Sequence, residues 1–316
     1  LTAQLVEGGS GFSNAIIGAP FPIPKKGLEV IWNHLVRFRG IAISYYNNSA
    51  TPMPDGAYNL VVDKTSVLFP YCFNDAKFED LNNILLYYKD TILSPSRLAG
   101  SVLLVHETIN QVQEQRKAWQ YNPGQRRVRR APNVAYDNPS AVADGVRTND
   151  DYDMFNGATD RYNWKLIGKK EIYIPYNTYK LHGDANKVSD ILKAGHINSD
   201  LVRYELHRVW VVEANLKDGM SHIYKKRVFY IDEDSWSIVA ADQYDNHGEL
   251  WRAKEAYTIN YYSVPLTWRV MESVYDLQSG RYAVIGLDNE HSTIDFKANI
   301  TPADFSPASL RNSGMR

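Results

Sequence analysis

The stretch VRYELHRVWVVEANL, residues 202–216, decides the fold. Taken two residues at a time, Tyr204, Leu206, Arg208, Trp210, Val212 and Ala214 share one face, and Arg203, Glu205, His207, Val209, Val211 and Glu213 share the other. The first face is apolar apart from Arg208, and β-branched and aromatic residues dominate, so the run predicts a long strand laid on a core rather than a helix. Three further runs follow at short spacing, HIYKKRVFYI (222–231), WSIVAADQY (236–244) and ELWRAKEAYTINYY (249–262). Between them lie Lys217-Asp218-Gly219, Asp232-Glu233-Asp234-Ser235 and Asp245-Asn246-His247-Gly248, each of hairpin composition. Four strands joined by tight turns make an antiparallel meander, and a large twisted sheet is expected.

Outward from the meander, strands are expected at 266–276, 281–287 and 293–297 on one side. On the other they are expected at 41–46, 58–62, 67–73, 84–89, 101–109, 117–121 and over 164–181. One helix stands out. Leu28, Ile31, Trp32, Leu35 and Phe38 are spaced as a single stripe, with Glu29, Asn33, His34 and Arg37 mostly away from it. Such a helix is not stable alone and must lay its stripe on something apolar. That stripe reads either as core filler for the sheet or as a lid sharing the sheet's apolar face with a ligand. Residues 131–163 are polar, with Pro132, Pro139, Asp144, Gly145 and Gly157, and form the longest segment with little strand pattern apart from a short helix near 150–155. Residues 1–27 are rich in Gly, Pro and Ser and predict an extended arm; 28–297 predict one domain; 298–316 predict a loosely attached tail.

The 316 residues are 44 % hydrophobic, enough for a sizeable core. The net charge of −1 gives no argument for nucleic acid. Twenty-two Tyr and seven Trp suit half-buried strands and wet-edged grooves. The one cysteine, Cys72, excludes an internal disulfide and a multi-cysteine metal site, and reads as a buried small hydrophobe. No run approaches 18 apolar residues, so no membrane-spanning helix is expected. The chain begins at Leu1, which suggests a processed product.

The motifs of nucleotide binding, nucleophilic hydrolysis and zinc proteolysis are missing from the sequence, and no two of the eight histidines pair at metal-ligand spacing. No cofactor and no metal are expected. Asp150, Asp151 and Asp153 read as a helix N-terminus or, less readily, a cation site; His207 reads as an ordinary strand residue. Arg126, Arg127, Arg129 and Arg130 form the densest charge on the chain. They read as a solvated edge strand that blocks self-pairing, or as a patch for a lipid headgroup or an anionic partner.

Several long phrases together resemble a family of bacterial envelope proteins, known both as a domain of unknown function and as outer-membrane lipoprotein-sorting proteins. They are WQYNPGQRRVRRAPN (119–133), DMFNGATDRYNWKLIGKKEIYIPYN (153–177), RYELHRVWVVEA (203–214), HIYKKRVFYIDEDSW (222–236) and YDNHGELW (244–251). The likeness is strong over roughly 100–260 and looser on the flanks. It implies a fold like that of the Lol lipoprotein carriers and receptors: mainly β with a few helices, a large curved antiparallel sheet forming an incomplete barrel, with helices plugging its concave apolar face. It also implies the Gram-negative periplasm, a signal peptide already removed, and a missing preceding segment. It brings no catalytic residues.

On that basis a non-enzymatic carrier of a lipid, a lipoprotein acyl chain or another hydrophobic cargo is expected, with a membrane transport partner. The expected lining is Trp32, Leu35, Tyr204, Leu206, Trp210, Val212, Phe229 and Ile231, with Arg126, Arg127, Arg129 and Arg130 as the headgroup or partner patch. A buried acyl chain of about 16 carbons gains roughly 12 kcal/mol before costs, at about 0.8 kcal/mol per methylene. The alternative is an aromatic-rich module that binds polysaccharide or an envelope protein, with its trough filled by its own helix. A hydrolase working through paired carboxylates, such as Glu205 or Asp153, is the third reading.

Overall fold

The computed structural model describes residues 3–16, 18–131 and 137–313. Pro132 and Asn133 of the expected polar segment, and the last three residues of the expected tail, lie outside them. Strands β1 (Gln4–Leu5) and β2 (Phe12–Ser13) pair with each other alone. The helix α1 (Gly27–Val36) follows. Strands β3 (Ala42–Tyr46), β4 (Ser49–Ala50), β5 (Leu60–Leu68), β6 (Ile84–Ser94), β7 (Val102–Thr108), β8 (Lys117–Asn122) and β9 (Arg127–Arg130) make the first half of a large sheet. Strands β10 (Tyr162–Pro175), β11 (Tyr204–Leu216), β12 (Lys226–Asp232), β13 (Ile238–Tyr244), β14 (Leu250–Tyr261), β15 (Leu266–Asp276) and β16 (Tyr282–Ile285) make the second.

All 14 of these strands belong to one antiparallel sheet, ordered β10-β11-β12-β13-β14-β15-β16-β4-β5-β6-β7-β8-β9, with β3 also paired to β5. The expected meander is β11–β14, hairpin by hairpin. The edges β9 and β10 do not pair, so the sheet is an open half-barrel rather than a closed one. The expected strands at 58–62 and 67–73 are one strand, β5, and the segment at 293–297 contributes only isolated bridges from Asp295 and Lys297 to Ser44 and Ala42.

Helix α1 forms for the reason its stripe suggests, and it packs on β10 and β11. Its first residue must be small: a Cβ on Gly27 would stand 2.8 Å from the Lys165 carbonyl carbon. The Glu29 carboxylate accepts the Lys25 and Lys26 backbone N–H groups at 2.6 and 3.2 Å, satisfying donors at the helix start. Asn33 grips the arm, donating to the Phe21 carbonyl at 2.7 Å and accepting the Phe21 N–H at 2.9 Å. The helix stops at Val36, short of the last stripe residue Phe38, because Arg37 is extended and leaves Phe38 at the surface.

Cys72 is buried and burial pushes its thiol up to about 12, so it behaves as a small hydrophobe. The C-terminal segment differs from the loose tail its composition suggests. Phe305 and Leu310 are fully buried on the convex face of the first half-sheet, against Leu68, Val102, Leu104 and Tyr121. The sheet is therefore covered on both faces there, and two apolar residues well beyond the last strand hold the segment down.

Candidate functional site

The concave face is filled differently in its two halves. In the second half, α1 and the loop 147–156 occupy it. Trp32, Leu35, Val212, Phe229 and Ile231 are all buried in one packed core, with Trp210 half-buried beside them. Phe155 and Trp164 pack on Phe229 at ring-centroid distances of 5.5 and 6.0 Å. A space bordered by Trp32 and Leu35 is about 10 Å³, close to the minimum for one water. Tyr204 and Leu206 are 44 % and 57 % exposed. They share a face with Val212, but Gly27 sits on Lys165–Leu166, which pair with Glu213 and Val212, so α1 covers the later part of β11 and leaves its start bare.

Charge rather than grease fixes the loop. Asp150, Asp151 and Asp153, read from the sequence as a helix N-terminus or a cation site, are all buried in a kinked 3₁₀ segment, Asn149–Met154. Asp150 accepts from Arg227 at 2.7 Å and meets His222 at 3.1 Å. Asp151 accepts from Gln243 at 2.6 Å and stands 3.4 Å from Lys254. Asp153 accepts from Arg37 at 2.8 and 2.9 Å and from Arg39 at 2.7 Å, with Arg269 at 3.4 Å. Burial alone would raise the Asp150 and Asp153 carboxyls; the arginines beside each outweigh it and hold both below the ordinary range. Buried against Arg37, His34 is pushed down to about 3 and is neutral. Its Nδ1 accepts the Ile238 N–H at 3.2 Å, which leaves Nε2–H to donate to the Asp153 carbonyl at 3.0 Å.

In the first half of the sheet the same loop spans open space. Between it and the concave face lies a cavity of about 300 Å³. The floor comes from alternate residues of three strands: Leu86, Tyr88, Asp90 and Ile92 of β6, Leu103, Val105 and Glu107 of β7, and Gln120 of β8. The loop closes over them with Pro139, Val142, Arg147 and Tyr152. None of the eight lining residues expected from sequence is among those around this cavity.

Two carboxyls on the cavity wall are already engaged. Glu107 accepts from Asn156 at 2.8 Å, from Gln111 at 2.8 Å and from Arg116 at 3.1 Å, though burial still raises it. Asp90 accepts from Thr65 at 3.1 Å and is hydrogen-bonded to the buried Asp63. Burial raises both aspartates, and the charge of one disfavours the charge of the other, so the two share a proton. Arg147, also on the wall, is ion-paired to Glu272.

The remaining sequence candidates lie elsewhere. His207 meets Asp232 at 2.9 Å, and with Asp234 these could offer three ligand atoms within 4.8 Å of one another. Asp232 is spent on the 232–235 turn, accepting the Ser235 N–H at 3.0 Å and hydroxyl at 2.6 Å, which accounts for the cluster without an ion. Arg127, Arg129 and Arg130 lie on β9, the free edge of the sheet, and Arg126 occupies the turn before it with φ of 51°.

A model of the family described as "Protein of unknown function (DUF1329)" matches residues 1–311. The chain belongs to the DUF1329 family. An uncharacterized protein of Pseudomonas aeruginosa, PA3922, is 54 % identical over all 316 residues, which span 70 % of its length. Among solved structures, a DUF1329 protein from Desulfovibrio piger superposes with a TM-score of 0.59 at 15 % identity, covering 86 % of this chain and 92 % of that one. A putative outer membrane lipoprotein-sorting protein domain from Vibrio parahaemolyticus gives 0.61 at 14 % identity over 90 % and 98 %. A LolA superfamily protein from Nitrosomonas europaea gives 0.52 at 15 % identity over 90 % and 98 %. The DUF1329 fold of this chain is thus the open Lol-like half-barrel that the sequence resemblance implies. Among the described residues no helix is long and apolar enough to cross a membrane.

Proposed function

We propose that this protein is a non-enzymatic carrier that binds a lipid or another hydrophobic cargo inside its half-barrel, in the periplasm, and passes it to or from a membrane partner. The observation that carries this reading is the cavity of about 300 Å³ between β6–β8 and the loop 139–156, at the small end of the range for ligand sites. Leu86, Ile92, Leu103, Val105, Pro139 and Val142 give it an apolar lining that a packed core would have filled. The lipoprotein-sorting and LolA descriptions of its structural neighbours support the same reading. So does the state of the carboxyls: Glu107 is paired with Arg116, and Asp90 is bonded to Asp63, so neither stands free opposite the other to work on a bound substrate.

The packed second half of the concave face favours one alternative, a module that docks a glycan or an envelope protein on its outside. Native mass spectrometry of gently purified protein, with uptake of a fluorescent fatty acid, separates the two. Cargo-bound mass or saturable uptake, weakened by Leu103→Trp in the cavity floor, is expected. Empty protein that takes up no probe, together with retention on a glycan array, would replace the carrier with the docking module.

A further inference from the structure

The four arginines at 126–130 are not one patch, and their division points at the ligand. In an antiparallel pair, directly opposed residues share a face. Asp90 of β6 opposes Leu103 of β7, Leu103 opposes Gln120 of β8, and Gln120 opposes Arg129 of β9. The first three of that row line the cavity, so Arg129 is its next member, on the concave face at the free edge. Arg127 opposes Asn122, two residues on from Gln120, and joins it on the same face. Arg130 opposes Trp119 and sits 4.6 Å over its ring, on the convex side, where Trp119 packs with the C-terminal segment. Arg127 and Arg129 are exposed, and neither guanidinium has an ion-pair or hydrogen-bond partner among the described residues. Deeper in the cavity Glu107 is paired with Arg116 and Arg147 with Glu272, while Asp90 is bonded to Asp63, so the charge this wall presents at its exposed rim is that of Arg127 and Arg129.

We propose that the cavity takes a single-chain anionic amphiphile, its chain along the Asp90–Leu103–Gln120 row and its carboxylate or phosphate held by Arg127 and Arg129. The proposal rests on the carrier reading above and adds the class of cargo to it. Strands about 4.8 Å apart put Arg129 roughly 14 Å from Asp90 across the sheet, a distance a chain can lie along with its head at the edge. Guanidinium pairs suit either head, because both present oxygens to a planar fork of donors. Volume favours one chain over two: about 300 Å³ is at the lower limit for a ligand pocket.

The test uses the full chain and four probes of one length: dodecanoate, dodecyl phosphate, dodecanol and dodecyltrimethylammonium, each titrated by calorimetry. The two anions are expected to bind about tenfold more tightly than dodecanol, and the cation more weakly, with the anion advantage shrinking as salt rises. The ratio of the two anions tells a carboxylate head from a phosphate head. Arg127→Gln with Arg129→Gln should remove the advantage and leave dodecanol unchanged; Arg130→Gln should change neither. Equal binding of dodecanol and the anions to the wild type would overturn the anionic head while leaving the carrier standing. Binding of none of the four would overturn both. If the double variant loses only its cosedimentation with anionic vesicles and keeps dodecanoate, the arginines serve a membrane surface and the proposal falls.

Discussion

At the scale of single residues, the shared proton of Asp63 and Asp90 makes a prediction whose sign is fixed. Both carboxyls titrate higher in the folded chain than the unfolded value near 4, because burial disfavours two charges side by side. A raised folded value means that the native state keeps a proton the unfolded state has released. The stability this supplies is whole below about pH 4 and declines as pH rises towards the folded value, by up to about 1.4 kcal/mol per pH unit for one proton. Asp63→Asn keeps a donor for Asp90 and removes the proton the two carboxyls share. Urea unfolding at pH 5, 7 and 9 should show the wild type losing ground to Asp63→Asn as pH rises; parallel curves would refute the shared proton. The sequence hid this pair. Asp90 interrupts the apolar alternation Leu86, Tyr88, Ile92, which is a visible signal, but its partner lies 27 residues earlier, and burial on a concave face is not written in either strand.

At the scale of elements, the loop 147–156 does what a helix would do in a simpler half-barrel: it fills the concave face. It does so with three aspartates whose cations come from α1's exit, β12, β14 and β15. Breaking one such site leaves several cations buried and unpaired. Asp153→Ala strands Arg37, Arg39 and Arg269 together, and a loss of about 3–5 kcal/mol is expected by chemical denaturation. The same variant should open the loop to limited proteolysis within 139–156, since Asp153 is its tether to α1. Periodicity made the strands and α1 readable, because alternation and a 3.6-residue stripe are local. The loop was not readable. Its polar composition is that of a solvated segment, and only contacts between residues 70 to 120 positions apart turn its aspartates inward. The same blindness put the expected lining on β11 and β12. Their apolar face is real, but α1 and Phe155 consume it, while the open space falls over β6–β8, whose strands carry a mixture of apolar and charged residues.

At the scale of the whole molecule, an open sheet must protect two faces and two edges. The concave face is shared between α1, the loop and the cavity, and the free edge β9 carries the arginines that discourage another strand from adding to it. The convex face of the first half-sheet is left to the C-terminal segment. His106 meets the Phe305 carbonyl at 2.7 Å, and the Lys89 ammonium donates to the Asp304 carbonyl at 3.1 Å and stands 5.6 Å from the Phe305 ring centre. Phe305 stacks on Tyr87 with ring centres 5.6 Å apart, and Leu310 closes the cluster. Truncating Phe305 to Ala should cost about 3–5 kcal/mol, as for other fully buried aromatic side chains. Deleting 299–316 should do more, baring Leu68, Val102, Leu104 and Tyr121 as a continuous apolar patch on the back of the cavity wall. The shortened chain should associate at micromolar concentration, read by light scattering, and unfold at lower urea than Phe305→Ala. A deletion variant that stays monomeric with wild-type stability would return these residues to the status of a loose tail and leave the convex face needing another cover.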